Sequence, residues 1–365
     1  MANVIRVGVV GASITEGRSG WGSGAHVPAL KASPAYQLKA VCTSQEATAK
    51  ASAEKFGAEL AFHRFEDMLA CKDIDLVSVV VRVPNHHDLV MKALAAGKPV
   101  YCEWPLGNGL VEGQEMADMA RKMGVVTMSG LQSRSDPTVR YAKELVEQGY
   151  VGEVLFANLK VVPASRPERG NGRIWQGVRK NGANPLTIPG GHSMDAMLFI
   201  LGDMVEVSAR IATRITQWHN SDTGETMTVD APDAVSAIGK LASGVEVNVQ
   251  IATAPTAAPG YRLEIYGRKG TLAVTSSSVN IGPNKLFGAQ GKNNLAELPV
   301  PDGYRAAPAN TPSGPPQNVA HAYARFAKVF HSREGIDPDF DTALGIHRLI
   351  DAIERSARER RCIDL

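Results

Sequence analysis

Short, almost wholly apolar runs separated by helix-forming segments recur from residue 4 to residue 132, and no other feature narrows the fold as much. VIRVGVVG at 4–11 is a near-continuous β-branched run of the kind buried on both faces of a sheet. HVPALKAS can form a helix, QLKAVCTS at 37–44 reads as the next strand, and EATAKASAEKF as an alanine-rich amphipathic helix stopped by Gly57. FHRFEDMLAC gives a short helical segment, and IDLVSVVVRV at 74–83 a strongly apolar strand broken by Pro84. HHDLVMKALAAGKPVYCEW supplies a helix and a strand, VEGQEMADMARKMG a helix, and VVTMSGLQ at 125–132 a strand. This alternation predicts a parallel, doubly wound sheet, with ligands gathered at the carboxyl ends of its strands near the point where strand order reverses.

From Pro137 the pattern changes. A helix over PTVRYAKELVEQGYVG leads into EVLFANLKVV, and an Arg-, Gly-, Asn- and Pro-rich stretch at 163–190 is longer than an ordinary connection. The helix HSMDAMLFILG is followed by alternating runs, with SG at 243–244 and RKG at 268–270 as tight turns, which predicts a large, mostly antiparallel open sheet. Two helices close the chain, around VAHAYARFAKVF and ALGIHRLIDAIERSARE. A length of 365 residues fits two domains. The expected division is a Rossmann dinucleotide-binding domain at 1–135 and an α/β substrate-binding and oligomerisation domain at 136–365, with the final helices packing back toward the first.

Bulk composition removes several function classes. A net charge of +2 and the lack of a helix-turn-helix pattern speak against direct nucleic-acid binding. No apolar run reaches the roughly 20 residues a membrane span needs, and the amino terminus passes straight into a strand, so a cytoplasmic location is expected. Cys42, Cys71, Cys102 and Cys362 are widely spaced, which predicts reduced thiols and no metal site.

The chemistry-bearing residues lie at the predicted strand ends. In VGVVGASITEG, Gly8 and Gly11 supply two glycines of a dinucleotide loop, Ser13 stands where a further one is expected, and the loop runs on through Gly17, Gly20, Gly22 and Gly24. Gly11, Ala12, Ser13 and Ile14 are expected to lie against the cofactor. After the second strand, Thr43 and Ser44 stand where an acid would read the ribose of NAD, which leaves NAD and NADP both open. Arg82, Val83, Pro84, Asn85 and His86 form a polar turn expected on the cofactor wall, and Gln132 and Arg134 end the last strand similarly. In GGHSMD, His192 and Asp195 share one helix face. The histidine can exchange a proton with a substrate hydroxyl, and the carboxylate can orient it. Arg166, Arg169, Arg173 and Trp175 furnish a loop able to bind and stack on a polar, sugar-like ligand.

GVVGAS, VPNHH, AAGKPVYCEWPLG and GGHSMD together resemble the Gfo/Idh/MocA oxidoreductase family, most closely its Gal80-type branch. The resemblance implies hydride transfer between a sugar, cyclitol or related polyol and NAD or NADP, in a homodimer or homotetramer. It also places Glu103 and Trp104 at the nicotinamide, where relatives carry Glu-Lys-Pro, and finds Ile188 where an Asp usually precedes the catalytic histidine. Trp104 would then shape the substrate pocket, with Lys160 or a loop arginine helping His192. The Gal80-type branch implies an alternative: a non-catalytic, dinucleotide-responsive regulator acting through a protein partner.

Overall fold

The apolar runs of the first third become six strands. β1 (Ile5–Val10), β2 (Tyr36–Cys42), β3 (Leu60–Phe62), β4 (Leu76–Val79), β5 (Val100–Cys102) and β6 (Thr127–Ser129) form one sheet in the order β3-β2-β1-β4-β5-β6. Every pairing in it is parallel. The coordinates are a computed structural model that describes residues 4–15, 20–165 and 167–365. The connecting helices are α1 (Val27–Ala32), α2 (Glu46–Phe56), α3 (Phe65–Ala70), α4 (His86–Ala95) and α5 (Leu110–Met123). A π-helical turn, Gly22–His26, leads directly into α1. α2 stops at Gly57, whose φ of 72° a glycine adopts without strain. Strand order reverses between β1 and β4, so the crevice of this Rossmann sheet opens where those two strands end.

This first compact unit comprises residues 1–132, 170–175 and 306–344. Its core joins Val7, Val9, Leu76 and Tyr101 of the strands to Val319, Tyr323 and Phe326 of α8 (Pro316–Val329). Truncating a buried aromatic such as Phe326 costs about 3–5 kcal/mol in comparable cores.

The second unit comprises 133–169, 176–305 and 345–365. α6 (Pro137–Glu147) begins where Asp136 accepts hydrogen bonds from the Thr138 and Val139 amides at 2.8 and 3.1 Å, with Pro137 at the first helical position. In chain order follow β7 (Val154–Val162), β8 (Glu168–Arg169), α7 (Gly191–Leu201), β9 (Met204–Ala212), β10 (Gln217–Asn220), β11 (Thr226–Thr228), β12 (Ala234–Leu241) and β13 (Glu246–Ala252). β14 (Gly260–Gly267), β15 (Gly270–Ser276), β16 (Lys285–Gln290), β17 (Ala296–Glu297), α9 (Phe340–Glu359) and β18 (Ile363–Asp364) complete the elements.

Nine of these strands form a mixed sheet, β17-β16-β15-β14-β7-β13-β12-β9-β18. Only β7 and β13 pair in parallel in it; the other neighbours are antiparallel. β12 and β13 alternate buried and exposed residues, so one face is covered and the other open. α7 starts against the covered face. A Cβ on Gly190 would sit 2.8 Å from the Ile251 side chain.

Some expectations change in detail. The run at 74–83 is strand only over β4, because the chain turns into a 3₁₀ segment at Val83–Asn85. Gln132 opens a 3₁₀ turn with Ser135 instead of ending a strand. The segment at 163–190 is not wholly irregular: its β8 pairs with β10, and β10 with β11, in a small separate sheet.

Candidate functional site

The nucleotide crevice is built around Gly11, immediately after β1. Its φ is 103°, and a Cβ there would lie 2.3 Å from the Val80 carbonyl oxygen, so a side chain is excluded twice over. A Cβ on Gly22 would be 3.0 Å from the Gly11 carbonyl. Gly22 therefore takes the close-packing role of the last glycine in a dinucleotide loop, from a longer loop than the usual spacing predicts. Gly8 does not contribute to a phosphate cradle. It lies inside β1, where a Cβ would meet Met68 and Ile74 at 3.0 and 3.2 Å, so its role is packing under the sheet.

A cleft of about 410 Å³ opens at this point. Of the expected residues, Gly11, Ser13, Thr43, Ser44, Arg82 and Asn85 line it, joined by Thr15, Gln45, Thr48 and His63. Ala12 is buried beneath the loop, and the Ile14 amide donates to Ser52 Oγ at 3.3 Å. Ser13 Oγ donates to Thr15 Oγ1 and accepts from the Thr15 amide, which fixes the turn locally. Thr43 Oγ1 donates to the Gln45 carbonyl at 3.0 Å and shares a hydrogen bond with Thr48 Oγ1 at 2.7 Å. The glycine cradle and the hydroxyl-lined cleft at the switch point fit a dinucleotide.

The turn after β4 divides in function. Arg82 donates to the Asn171 carbonyl at 3.0 Å and stacks over the Trp175 ring at 5.3 Å, which brings a residue expected on the cofactor wall and one of the loop together. The Trp175 indole N–H donates to the Gly172 carbonyl. Val83 is buried, while Pro84 and Asn85 are exposed. His86, expected on the cofactor wall, is buried, and its ring nitrogens lie 2.9 Å from the Pro105 carbonyl and 3.1 Å from that of Val81. Burial pushes its pKa down, and these carbonyls oppose the shift without cancelling it. Its polar atoms tie two backbone segments together and are not free for a ligand.

KPVYCEWPLG places Glu103 just beyond β5, and Glu103 too is occupied. Its Oε1 lies 2.8 Å from Nε2 of His26, a fully buried residue whose Nδ1 is 2.9 Å from the Tyr323 hydroxyl. Ser78 Oγ joins the same hydroxyl at 2.9 Å. A Cβ on Gly130 would lie 2.7 Å from Glu103 Oε1, so that glycine makes room for the carboxylate. Trp104, next in the chain, is 4 % exposed. The four cysteines are free, and burial pushes the Cys102 thiol well above its ordinary pKa, as for a small core residue. Gln132 is buried with neither side-chain nitrogen nor oxygen hydrogen-bonded among the described residues, a state that native structures normally resolve with a partner.

In the second unit, α7 carries His192 and Asp195, both buried and three residues apart. Asp195 Oδ1 accepts from Arg134 Nε at 2.8 Å, and the Arg134 guanidinium lies 5.2 Å above the Phe199 ring. Arg134, expected at the substrate, thus holds the carboxylate expected beside His192. Ile188, in the π-helical turn before α7, adds no acid. Lys160 is not brought to this helix. It is exposed between buried Leu159 and Val161 on β7, on the open face, whereas α7 begins on the covered one. Arg169 bonds Ser165 Oγ and stacks 4.9 Å from the Trp218 ring, which makes it part of the small sheet's own packing. Arg173 is exposed, and Arg166 lies outside the described residues.

Among the described residues, no group of three or more His, Cys, Asp or Glu side chains could hold a metal, and no helix is long and apolar enough to cross a membrane. Sequence reasoning missed His26, Tyr323, His63 and Phe199. The signal for the first was its place in GSGAHVPAL, directly after the glycine-rich loop. Nothing local marked the tyrosine, 297 residues away.

A model of an oxidoreductase family with an NAD-binding Rossmann fold, GFO/IDH/MocA, matches residues 5–131, and one of the Gal80p C-terminal domain matches 137–276. The dehydrogenase aclE of Aspergillus oryzae is 33% identical over 378 residues, covering 99% of this chain and 98% of its own. The chain belongs to the Gfo/Idh/MocA oxidoreductase family. Its first domain is an NAD(P)-binding Rossmann fold, followed by a Gal80-like second domain, and its relation to dehydrogenases supports oxidoreductase activity in general terms. The galactose/lactose metabolism regulatory protein GAL80 of Saccharomyces cerevisiae is 24% identical over 376 residues, 96% of this chain and 82% of its own. A levoglucosan dehydrogenase solved with NADH and L-sorbose shares the fold, with a TM-score of 0.86 at 21% identity over 99% of both chains.

Proposed function

We propose that this family member transfers a hydride between the nicotinamide of NAD(P) and a hydroxyl-bearing carbon of a sugar, cyclitol or related polyol. The observation that carries the reading is the retention, in one chain, of a glycine-cradled dinucleotide cleft and a buried helix-borne histidine, His192, with Asp195 on the same helix held by Arg134 from the turn at Gln132–Ser135. When bound, the dinucleotide supplies the hydride acceptor. During oxidation His192 takes the hydroxyl proton, so that a carbonyl product, NAD(P)H and a proton are formed together. Arg134 fixes Asp195, which keeps a negative charge on the helix that bears the histidine. Gln132, buried with no side-chain partner among the described residues, is a further candidate to meet the ligand. Support for the substrate class comes from the structural relative crystallised with a ketose, L-sorbose.

Steady-state assays over a polyol and glycoside panel test this reading. A substrate should produce NAD(P)H, and His192→Ala should lower kcat by about 10² or more while the dinucleotide still binds. Trp104 favours a second reading, a non-catalytic regulator of the Gal80 type, because it stands where the resemblance expects lysine and supplies no positive charge for a developing alkoxide. Tight dinucleotide binding with no turnover on any substrate, together with recovery of a stable protein partner, would replace the first reading with the second.

A further inference from the structure

We propose that the cleft prefers NADP(H) over NAD(H), with Ser44 and His63 receiving the 2′-phosphate. This rests on the cleft being the dinucleotide site and concerns which dinucleotide it takes. In a Rossmann sheet the residues after the second strand meet the adenosine ribose. An acid there accepts from the 2′-hydroxyl and repels a phosphate. Here β2 ends at Cys42 and is followed by Thr43 and Ser44, and among the described residues no carboxylate lines the cleft.

The neighbouring strand supplies a second donor. β2 and β3 pair with Cys42 opposite Phe62, and the Thr43 amide donates to the Phe62 carbonyl at 3.1 Å. The next residue on β3's side is therefore His63, brought alongside Thr43 and Ser44 at one end of the cleft. Thr43 is held by Gln45 and Thr48, which stiffens the turn, while Ser44 and His63 are exposed on the cleft lining. A hydroxyl and an imidazole N–H are both donors suited to phosphate oxygens. The nearest acid in sequence, Glu46 at the start of α2, is not on the lining; it is paired with Lys50 at 2.6 Å and also lies within electrostatic reach of His63, where its charge favours a protonated imidazole.

Calorimetric titration of the purified protein with NADPH, NADH, 2′,5′-ADP and 5′-AMP tests this without turnover. NADPH should bind about 10-fold tighter than NADH, and 2′,5′-ADP should exceed 5′-AMP by a similar factor. His63→Ala should reduce that advantage several-fold, and Ser44→Asp should reverse it; Ser44→Ala is the milder check if the aspartate variant melts early. NADH binding as tightly as NADPH overturns the proposal while leaving the dinucleotide cleft intact. Failure of both dinucleotides to bind overturns the cleft itself. An NADPH preference that survives both substitutions removes Ser44 and His63 from its cause.

Discussion

Glu103 and Asp195 are both buried carboxylates paired with a basic side chain at 2.8 Å, yet their surroundings differ in kind. Glu103 meets His26, and through it Tyr323 and Ser78. Four separate segments of the first unit converge on one polar knot with its charged end enclosed. Asp195 meets Arg134, whose side chain keeps 15% of its surface exposed and rests on the flat face of Phe199. Its helix also carries His192. The first pair ties the fold together; the second holds Asp195 on the helix whose histidine we propose as the proton-transfer group. An acid at a strand end is therefore not, by that fact, a ligand-binding group.

The largest effect should follow from breaking the enclosed knot. Glu103→Ala leaves His26 buried without its carboxylate, and losing one partner of a buried pair typically costs about 3–5 kcal/mol. Urea denaturation measures it, and a loss below about 1 kcal/mol would mean that the knot contributes little.

Asp195→Asn should separate the two pairs. Arg134 keeps a neutral acceptor and some solvent, so the expected stability loss is smaller, about 1–3 kcal/mol, while kcat falls by about 10-fold or more with NAD(P)H affinity unchanged. Unaltered kcat would make this pair as purely structural as the first.

His86 gives a smaller effect with a definite sign. Burial holds its pKa below the ordinary 6.5, so the unfolded chain takes a proton where the folded ring stays neutral. Stability is lost as pH falls below 6.5 toward the lower folded value. His86→Asn should flatten that decline, as read from melting midpoints through this range. Parallel curves would exclude His86 as the titrating group. The smallest effect belongs to Lys160→Ala on the open sheet face, with stability within about 0.5 kcal/mol and KM unchanged. A raised KM would bring that lysine back to the substrate.

The fold was largely legible because its signals are local. Runs such as LVSV can be buried on both sides only in a covered sheet, and the strict alternation of β12 and β13 declares one wet face. The short strands β3, β8, β10 and β11, with LAF, ER, QWHN and TMT, were not legible, since unlike LVSV they are not embedded in a longer apolar run. At the cleft, the positions of Thr43 and Ser44 on the lining followed from their places at a strand end, and that of His192 on α7 from the helix pattern. His86 and Glu103 occupy equally suggestive places, and what occupies them is a backbone carbonyl or a side chain distant in sequence. Gly8 failed for a related reason: a motif counts glycines, but only packing shows whether the space is left for a phosphate or for Met68.

The convergence of His26, Ser78 and Glu103 on Tyr323 also orders events during synthesis. The amino-terminal sheet emerges from the ribosome first, but its core is closed by α8 and the knot is tied by a tyrosine 297 residues after His26. Until that helix is made, the nascent first domain leaves apolar surface and an untied buried acid waiting. A chaperone that shields the unfinished sheet would meet its need in that interval.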